Sequence, residues 1–237
     1  MNQQIIDNLF EFWSLLGLKS KLLIKKENYK AVMVENSDFG KRVFDIKDKG
    51  IITDIIDKIK SKLLPNIITL SKPNELEREP DAKFMFGQRN MALDLNDYQA
   101  DSNTSSNIYH VKTVEEILQF AQIASESFGY KVDGDLIKLI ANEPEINLFV
   151  YRKEEETLGC GLVFFDSNNN AGLHMIGTIP AGRGMGIGKS ITEYLLKEAK
   201  DKQCKFCVLH ASLMGEKIYS RLGFVPYGEL ATYRINH

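Results

Sequence analysis

The chain has 237 residues, 43% of them hydrophobic and 26% charged, with 30 Lys and Arg against 32 Asp and Glu. A chain this long buries a full core without disulfides, and a net charge of −2 is too small to draw nucleic acid or an anionic membrane as a partner. Three cysteines, an odd number, point to reduced thiols and a cytoplasmic setting, and no uncharged apolar run reaches the ~20 residues that span a bilayer.

In chain order, Ile5, Ile6, Leu9, Phe10, Trp13 and Leu16 recur on one helical face, so the chain opens with a helix that Gly17 is suited to cap. Residues 21–26 and 30–35 read as two short strands around the turn-like Glu27-Asn28. Ile51, Ile52, Ile55, Ile56, Ile59 and Leu63 mark a second helix that Pro65 stops, and 66–70 reads as another strand. Residues 1–95 are thus expected to form a small α/β domain with no chemical motif and no assigned role. Residues 96–107, NDYQADSNTSSN, are almost free of apolar side chains and read as a linker to a second domain at 108–237.

Beyond the linker, 109–112 is a strand, and Thr113 with Glu116 forms a capping box that opens a helix with Val114, Ile117, Leu118, Ala121, Ala124 and Phe128 on its apolar face. A short helix at 135–141 precedes three strands, 146–152, 158–165 and 171–179, separated by polar turns in the pattern of an antiparallel meander. A glycine-rich loop follows, then a helix with Ile187, Ile191, Leu195 and Ala199 on one side, a strand at 206–209, a short helix at 215–222 and a final strand near Phe224. The class is mixed α/β, with a mostly antiparallel sheet and flanking helices. Cys204 and Cys207 form a C-x-x-C, but on a strand they would face opposite ways, and no second pair completes a metal site.

The chemistry is concentrated in residues 177–190, GTIPAGRGMGIGKS, where Gly182, Gly184, Gly186 and Gly188 lie between a strand and the first turn of a helix. Glycines let a ligand approach the backbone closely, and the unpaired N–H groups of a helix N-terminus favour an anion, so a phosphate is the expected guest. The tail Gly188-Lys189-Ser190 resembles the end of a P-loop, but Arg183 stands where that motif needs its first glycine, and the strand at 206–209 has no Asp to hold Mg²⁺.

Arg183-Gly184-Met185-Gly186-Ile187-Gly188 instead matches the R-x-x-G-x-G signature of the GNAT N-acetyltransferases, and residues 209–224, LHASLMGEKIYSRLGF, resemble that family's second signature. The resemblance covers 108–237, and a degenerate second GNAT-like unit would suit the size of the N-terminal half. It implies that acetyl-CoA is the acyl donor, with its pyrophosphate on the backbone of Arg183, Gly184, Met185, Gly186, Ile187, Gly188 and Lys189. It also implies that the pantetheine pairs with the main chain of Ile176, Gly177 and Thr178 where two strands splay. Gly172 and Gly177 fit a bulged strand there. Tyr219 stands where the family places its general acid, and phenol and thiol pKa values, about 10 and about 8.5, are close enough for that role.

His174, taken to share a strand face with Ile176 and Thr178, is the candidate base, with Asp166 and Glu126 suggested by composition alone. Ser212 is expected to cap a helix or touch the cofactor. The implied activity is direct transfer of an acetyl group to the primary amine of a small molecule or peptide, without a metal. The alternative is a CoA-sensing module that has lost turnover.

Overall fold

The computed structural model describes residues 1–72, 76–96, 98–99 and 107–236. In chain order the first half runs α1 (Asn2–Lys19), β1 (Leu23–Lys25), β2 (Lys30–Val32), β3 (Arg42–Phe44), α2 (Ile52–Lys60), β4 (Ile67–Leu70) and β5 (Ala82–Asp94). The second runs β6 (Ile108–His110), α3 (Val114–Phe128), α4 (Gly134–Ile140), β7 (Ile146–Lys153), β8 (Glu156–Phe165), β9 (Asn170–Thr178), α5 (Ile187–Asp201), β10 (Phe206–Ala211), α6 (Glu216–Arg221) and β11 (Val225–Ile235). All the strands belong to one mixed, mostly antiparallel sheet in the order β1-β2-β3-β4-β11-β5-β10-β9-β8-β7-β6.

The two sides of the central β11–β5 pair resemble each other, with three strands outside β4 on one side and four outside β10 on the other. In the first half β3 runs parallel to β4 after a crossover through a 3-10 turn, Lys49–Ile51, and α2. In the second, β9 runs parallel to β10 after a crossover through a 3-10 turn, Pro180–Gly182, and α5. Each half ends in a long strand that crosses into the other, since β5 pairs with β10 and β11 pairs with β4, while β5 and β11 pair with each other. The topology therefore has the repeated unit that the size of the N-terminal half suggested, with its last strands exchanged. The linker expected at 96–107 lies mostly outside the described residues, and on either side of it the strands interleave in one continuous sheet.

The sheet curls around α1. Within one helical turn Phe10 meets Phe44 of β3 at 5.4 Å and Phe12 meets Phe164 of β8 at 5.5 Å, measured between ring centroids. Those strands stand six places apart, roughly 29 Å along a flat sheet, so the sheet must bend to bring both faces onto one helix. The apolar face of α1 (Ile5, Ile6, Leu9, Phe10, Phe12, Trp13 and Leu16) is buried there, each side chain contributing about 1.5–3 kcal/mol. Gly17 does not end this helix, which continues to Lys19. A Cβ at Gly17 would lie 2.8 Å from Val32 Cγ2, so the glycine allows close packing on β2.

The capping box forms as expected: Glu116 N–H donates to Thr113 Oγ1 at 3.2 Å, and Thr113 N–H donates to Glu116 Oε2 at 3.1 Å. Cys204 precedes β10 instead of lying on it, and with Cys207 it packs into the core cluster under α5, so the opposite-face argument does not apply to the pair. Both thiols are free, and burial raises their pKa values, that of Cys204 to about 11. None of the described helices is long and apolar enough to cross a membrane.

Candidate active site

The second crossover builds the site. β9 and β10 pair in register from Asn170–Phe206 to Leu173–Leu209, and there the ladder stops although both strands continue. Beyond it β9 pairs only with β8, leaving the other edge of Ile176, Gly177 and Thr178 without a neighbouring strand. The divergence begins at a β-bulge. Cys160 pairs with Gly177 and Leu162 with His174, so Met175 and Ile176 oppose the single residue Gly161, and Met175 takes φ +54°. Cys160 Sγ lies 3.4 Å from the Met175 carbonyl inside the bulge.

The bulge changes which residues share a face. Ile176 packs in the α5-side core and Thr178 Cγ2 lies behind Gly182, whereas His174 and Met175 face α1 and α3. His174 therefore does not share a face with Ile176 and Thr178, contrary to the sequence expectation of uninterrupted alternation. Its ring stacks on Phe12 at 4.7 Å, and Nε2 is 3.0 Å from Asn8 Oδ1. Asn8 Nδ2 in turn donates to Asp166 Oδ2 at 2.9 Å, so Asp166 orients the amide, and the amide oxygen fixes neutral His174 as the Nε2–H tautomer. Burial pulls the His174 pKa down to about 3, with the neighbouring His210 a smaller cause. A base sealed beneath α1 does not reach an amine.

Asp166 is equally committed. Its carboxylate accepts from the N–H groups of Asn168 and Asn170 as well as from Asn8, which makes it the organiser of the β8–β9 turn. Glu126 is exposed on α3, beside Ser127. Gly172 is explained by packing, because a Cβ there would fall 1.8 Å from Asn8 Oδ1.

After β9 the chain makes the Pro180–Gly182 turn and enters α5 through Gly186. Gly184 and Gly186 have φ of +81° and +77°, a region that only glycine enters readily, and a Cβ on either would meet nothing within 4 Å. Gly182 is instead packed against Ile187, Thr178 and Leu158, while Ile187 is buried and anchors the helix. The first N–H to bond back along α5 is that of Ser190, to the Gly186 carbonyl at 3.0 Å. The N–H groups of Ile187, Gly188 and Lys189 precede it at the positive end of the helix, and Gly186 provides no side-chain cap. Arg183 and Lys189 are exposed beside this open cradle, Arg183 reaching Ser127 O at 3.5 Å and Lys189 pairing with Glu193 at 3.3 Å. Met185 is exposed at the tip.

The corresponding place in the first half is closed by its own chemistry. Asp48 Oδ1 accepts from Gly50 N–H at 2.8 Å, so a carboxylate of the chain caps the Lys49–Ile51 turn that leads into α2.

Tyr219 lies on α6, half-buried, with its ring 5.9 Å from that of Phe224 and no hydrogen-bond partner for its hydroxyl among the described residues. Burial pushes the phenol up to about 12, which widens its separation from an ordinary thiol. Tyr219 is thus protonated at neutral pH and suited to donate a hydrogen bond rather than to surrender its proton completely. Ser212 Oγ accepts from Gly215 N–H at 3.2 Å and shapes the turn into α6. Among the described residues no group of three or more His, Cys, Asp or Glu could hold a metal.

Two residues absent from the sequence-derived site become prominent: Ser127, which faces Gly177 across the groove wall, and Arg42 on β3. Neither carries a motif, and only the curl of the sheet brings β3 opposite β9.

No curated protein sequence matches the chain. Among solved structures, a GCN5-related N-acetyltransferase from Kribbella flavida is similar at TM-score 0.69 and 15% identity, over 97% of this chain and 95% of that one. A putative GNAT-family acetyltransferase from Novosphingobium aromaticivorans is similar at TM-score 0.63 and 13% identity, over 95% and 96%. At these identities the likeness establishes the fold, and its coverage extends well beyond the C-terminal half. The model of the acetyltransferase (GNAT) family matches residues 112–224, from the start of α3 through the glycine loop to α6.

Proposed function

We propose that the chain is an acetyl-CoA-dependent N-acyltransferase. The observation that carries this reading is the interrupted β9–β10 ladder beside the open glycine cradle at α5. Together they offer free backbone groups for an amide-bearing arm and N–H groups for phosphates, which are the two chemistries that CoA combines. Residues 183–189 would hold the pyrophosphate, and Ile176, Gly177 and Thr178 the pantetheine. Acetyl-CoA would supply an activated thioester. Tyr219 Oη then holds a hydrogen-bond donor for the sulfur that leaves, with the phenol protonated throughout the neutral range.

The test is thermal melting of the full chain with acetyl-CoA and, separately, with ATP and Mg²⁺. A ligand at 100 times its Kd stabilises by about 2.7 kcal/mol, a shift of roughly 5–10 °C for a chain of this size. Stabilisation by ATP and none by CoA would overturn the reading. One observation favours a CoA-binding module without turnover: His174 and Asp166 are both committed to structure. Release of free thiol from acetyl-CoA with a panel of polyamines, amino acids, aminoglycosides and peptides separates the two.

A further inference from the structure

Arg42 is an unusual cation for its setting. Arg89 reaches Glu216 and Glu229, and Arg152 reaches Glu116, but Arg42 has no carboxylate partner among the described residues. Its guanidinium carbon lies 4.3 Å over the ring of Trp13, and Nη1 donates to Thr69 Oγ1 at 3.3 Å. Nε is buried with no acceptor among the described residues. Burial lowers its pKa from 12.5 to about 10, so the group remains charged at neutral pH. Arg42 is half-buried, and its Nε is withdrawn from water without a partner; holding a guanidinium there without a counter-ion is costly, and a fold carries that cost most simply when something else provides the counter-ion.

The position of Arg42 says what that could be. Its side chain lies over Thr69, whose hydroxyl is 3.1 Å from that of Thr232, and Thr232 is the cross-strand neighbour of Phe86. Phe86 is exposed, three residues before Arg89, where the β5–β10 ladder ends against Ala211. The row therefore leads across the concave side of the sheet from Arg42 toward the end of β10, where the groove beside β9 opens. From the other wall comes Tyr130, which stacks on Phe128 at 5.6 Å; burial raises its phenol pKa, and the nearby Arg42 guanidinium opposes that rise. The two walls are tied at one end, because Asp38 N–H donates to the Lys131 carbonyl at 2.9 Å and Lys131 N–H to Asp38 Oδ2 at 3.1 Å. Asp45, the acid nearest in sequence, pairs with Lys30 at 2.9 Å, and Asp38, the next nearest, is engaged by Lys131.

We infer that the acceptor amine bears an oxyanion, a carboxylate or a phosphate, which Arg42 binds in the cleft between the two halves while the amine points toward the β9–β10 groove. The inference rests on the acyltransferase reading for the word acceptor, although the anion site itself does not. Arg suits the task because its planar fork matches an oxyanion and its face stacks on an aromatic ring.

Trp13 is the chain's single tryptophan and touches Arg42, so its emission reports on this site directly. The full chain is titrated at constant ionic strength with 4-aminobutyrate, with 2-aminoethyl phosphate and with butylamine. A saturable change with one or both of the anionic amines and none with butylamine is the expected result, and which anion acts identifies the group. Arg42→Met should weaken that binding about tenfold or more, the usual effect of losing charge-assisted hydrogen bonds, and Arg42→Lys should weaken it less. Equal responses to butylamine, no response to either anion, or unchanged binding by Arg42→Met would overturn the inference. CoA binding by the same variants is measured separately by calorimetry. Its absence in the wild type would sink the acyltransferase reading and leave the anion site standing.

Discussion

Gly186→Val separates the ligand role of the loop from its conformational role. Gly186 sits at φ +77°, and a Cβ there meets nothing within 4 Å, so the cost to folding is backbone strain without a clash. Left-handed backbone at a non-glycine residue costs roughly 1–2 kcal/mol, and in a chain this long each kcal/mol lowers Tm by about 2–4 °C, giving a fall of roughly 2–8 °C. The empty space is also where a pyrophosphate would lie, so the same isopropyl group should raise the Kd for CoA by about 100-fold or more. Gly129→Val is the control: its φ is +71°, it caps α3, and it too has nothing within 4 Å. Differential scanning calorimetry should give similar Tm losses for the two variants, and titration calorimetry should give lost CoA binding for Gly186→Val alone. Wild-type affinity in a folded Gly186→Val protein would show that the phosphates bind elsewhere.

Tyr219→Phe keeps the ring against Phe224 and deletes the hydroxyl, so CoA affinity should hold while kcat falls by about 10²–10⁴-fold on an identified acceptor; full kcat would reduce Tyr219 to packing. Acid should destabilise the fold, because unfolded histidine takes up a proton near 6.5 whereas folded His174 does so only near 3; stability is lost as pH falls through that window, by about 2 kcal/mol at pH 5 from this residue. His210, lowered to about 4 by burial, adds in the same direction, so His174→Gln should reduce but not abolish the slope in urea unfolding between pH 7 and 5, and an unchanged slope would contradict the buried assignment. A fragment comprising 108–237 lacks β5 and leaves β10 and β11 with open edges, so it should aggregate or fail to show a cooperative melt, and a stable monomeric fragment would count against the exchanged-strand topology.

The parts of the fold that could be read in the sequence are those whose signals are local. Thr113 and Glu116 announce a helix start, the alternating glycines announce the loop, and the polar turns delimit β7, β8 and β9. β5 was not legible, although it is the longest strand. Its residues 83–87 are exposed on both faces and Asn90 to Leu93 are buried on both, so no period-two pattern survives. β3 is only three residues long and starts with an arginine, and nothing nearby marks Arg42 as more than a surface cation. The error over His174 has one origin, the bulge at Met175. An inserted residue reverses the faces of everything after it, and a methionine at positive φ leaves no trace in composition.

The two crossovers share one topology, yet only one is open to an anion, and the difference comes down to a few side chains. At α5 the entrance is glycine without a side-chain cap, so three N–H groups at the positive end of the helix have no side-chain acceptor among the described residues. Ahead of α2, Asp48 caps the Lys49–Ile51 turn that leads into the helix, and the β3–β4 ladder contributes a single registered pair, Val43 with Ile68. The first half therefore shares the crossover architecture without the open glycine loop. What it supplies instead is structural and spatial: β5, which completes the sheet beside β10, α1, which seals His174 and shapes the concave floor, and a wall carrying a charged arginine opposite the groove of the other half. On the anion-site proposal, the first half would select what enters the site of the second through Arg42, whose guanidinium has no carboxylate partner among the described residues.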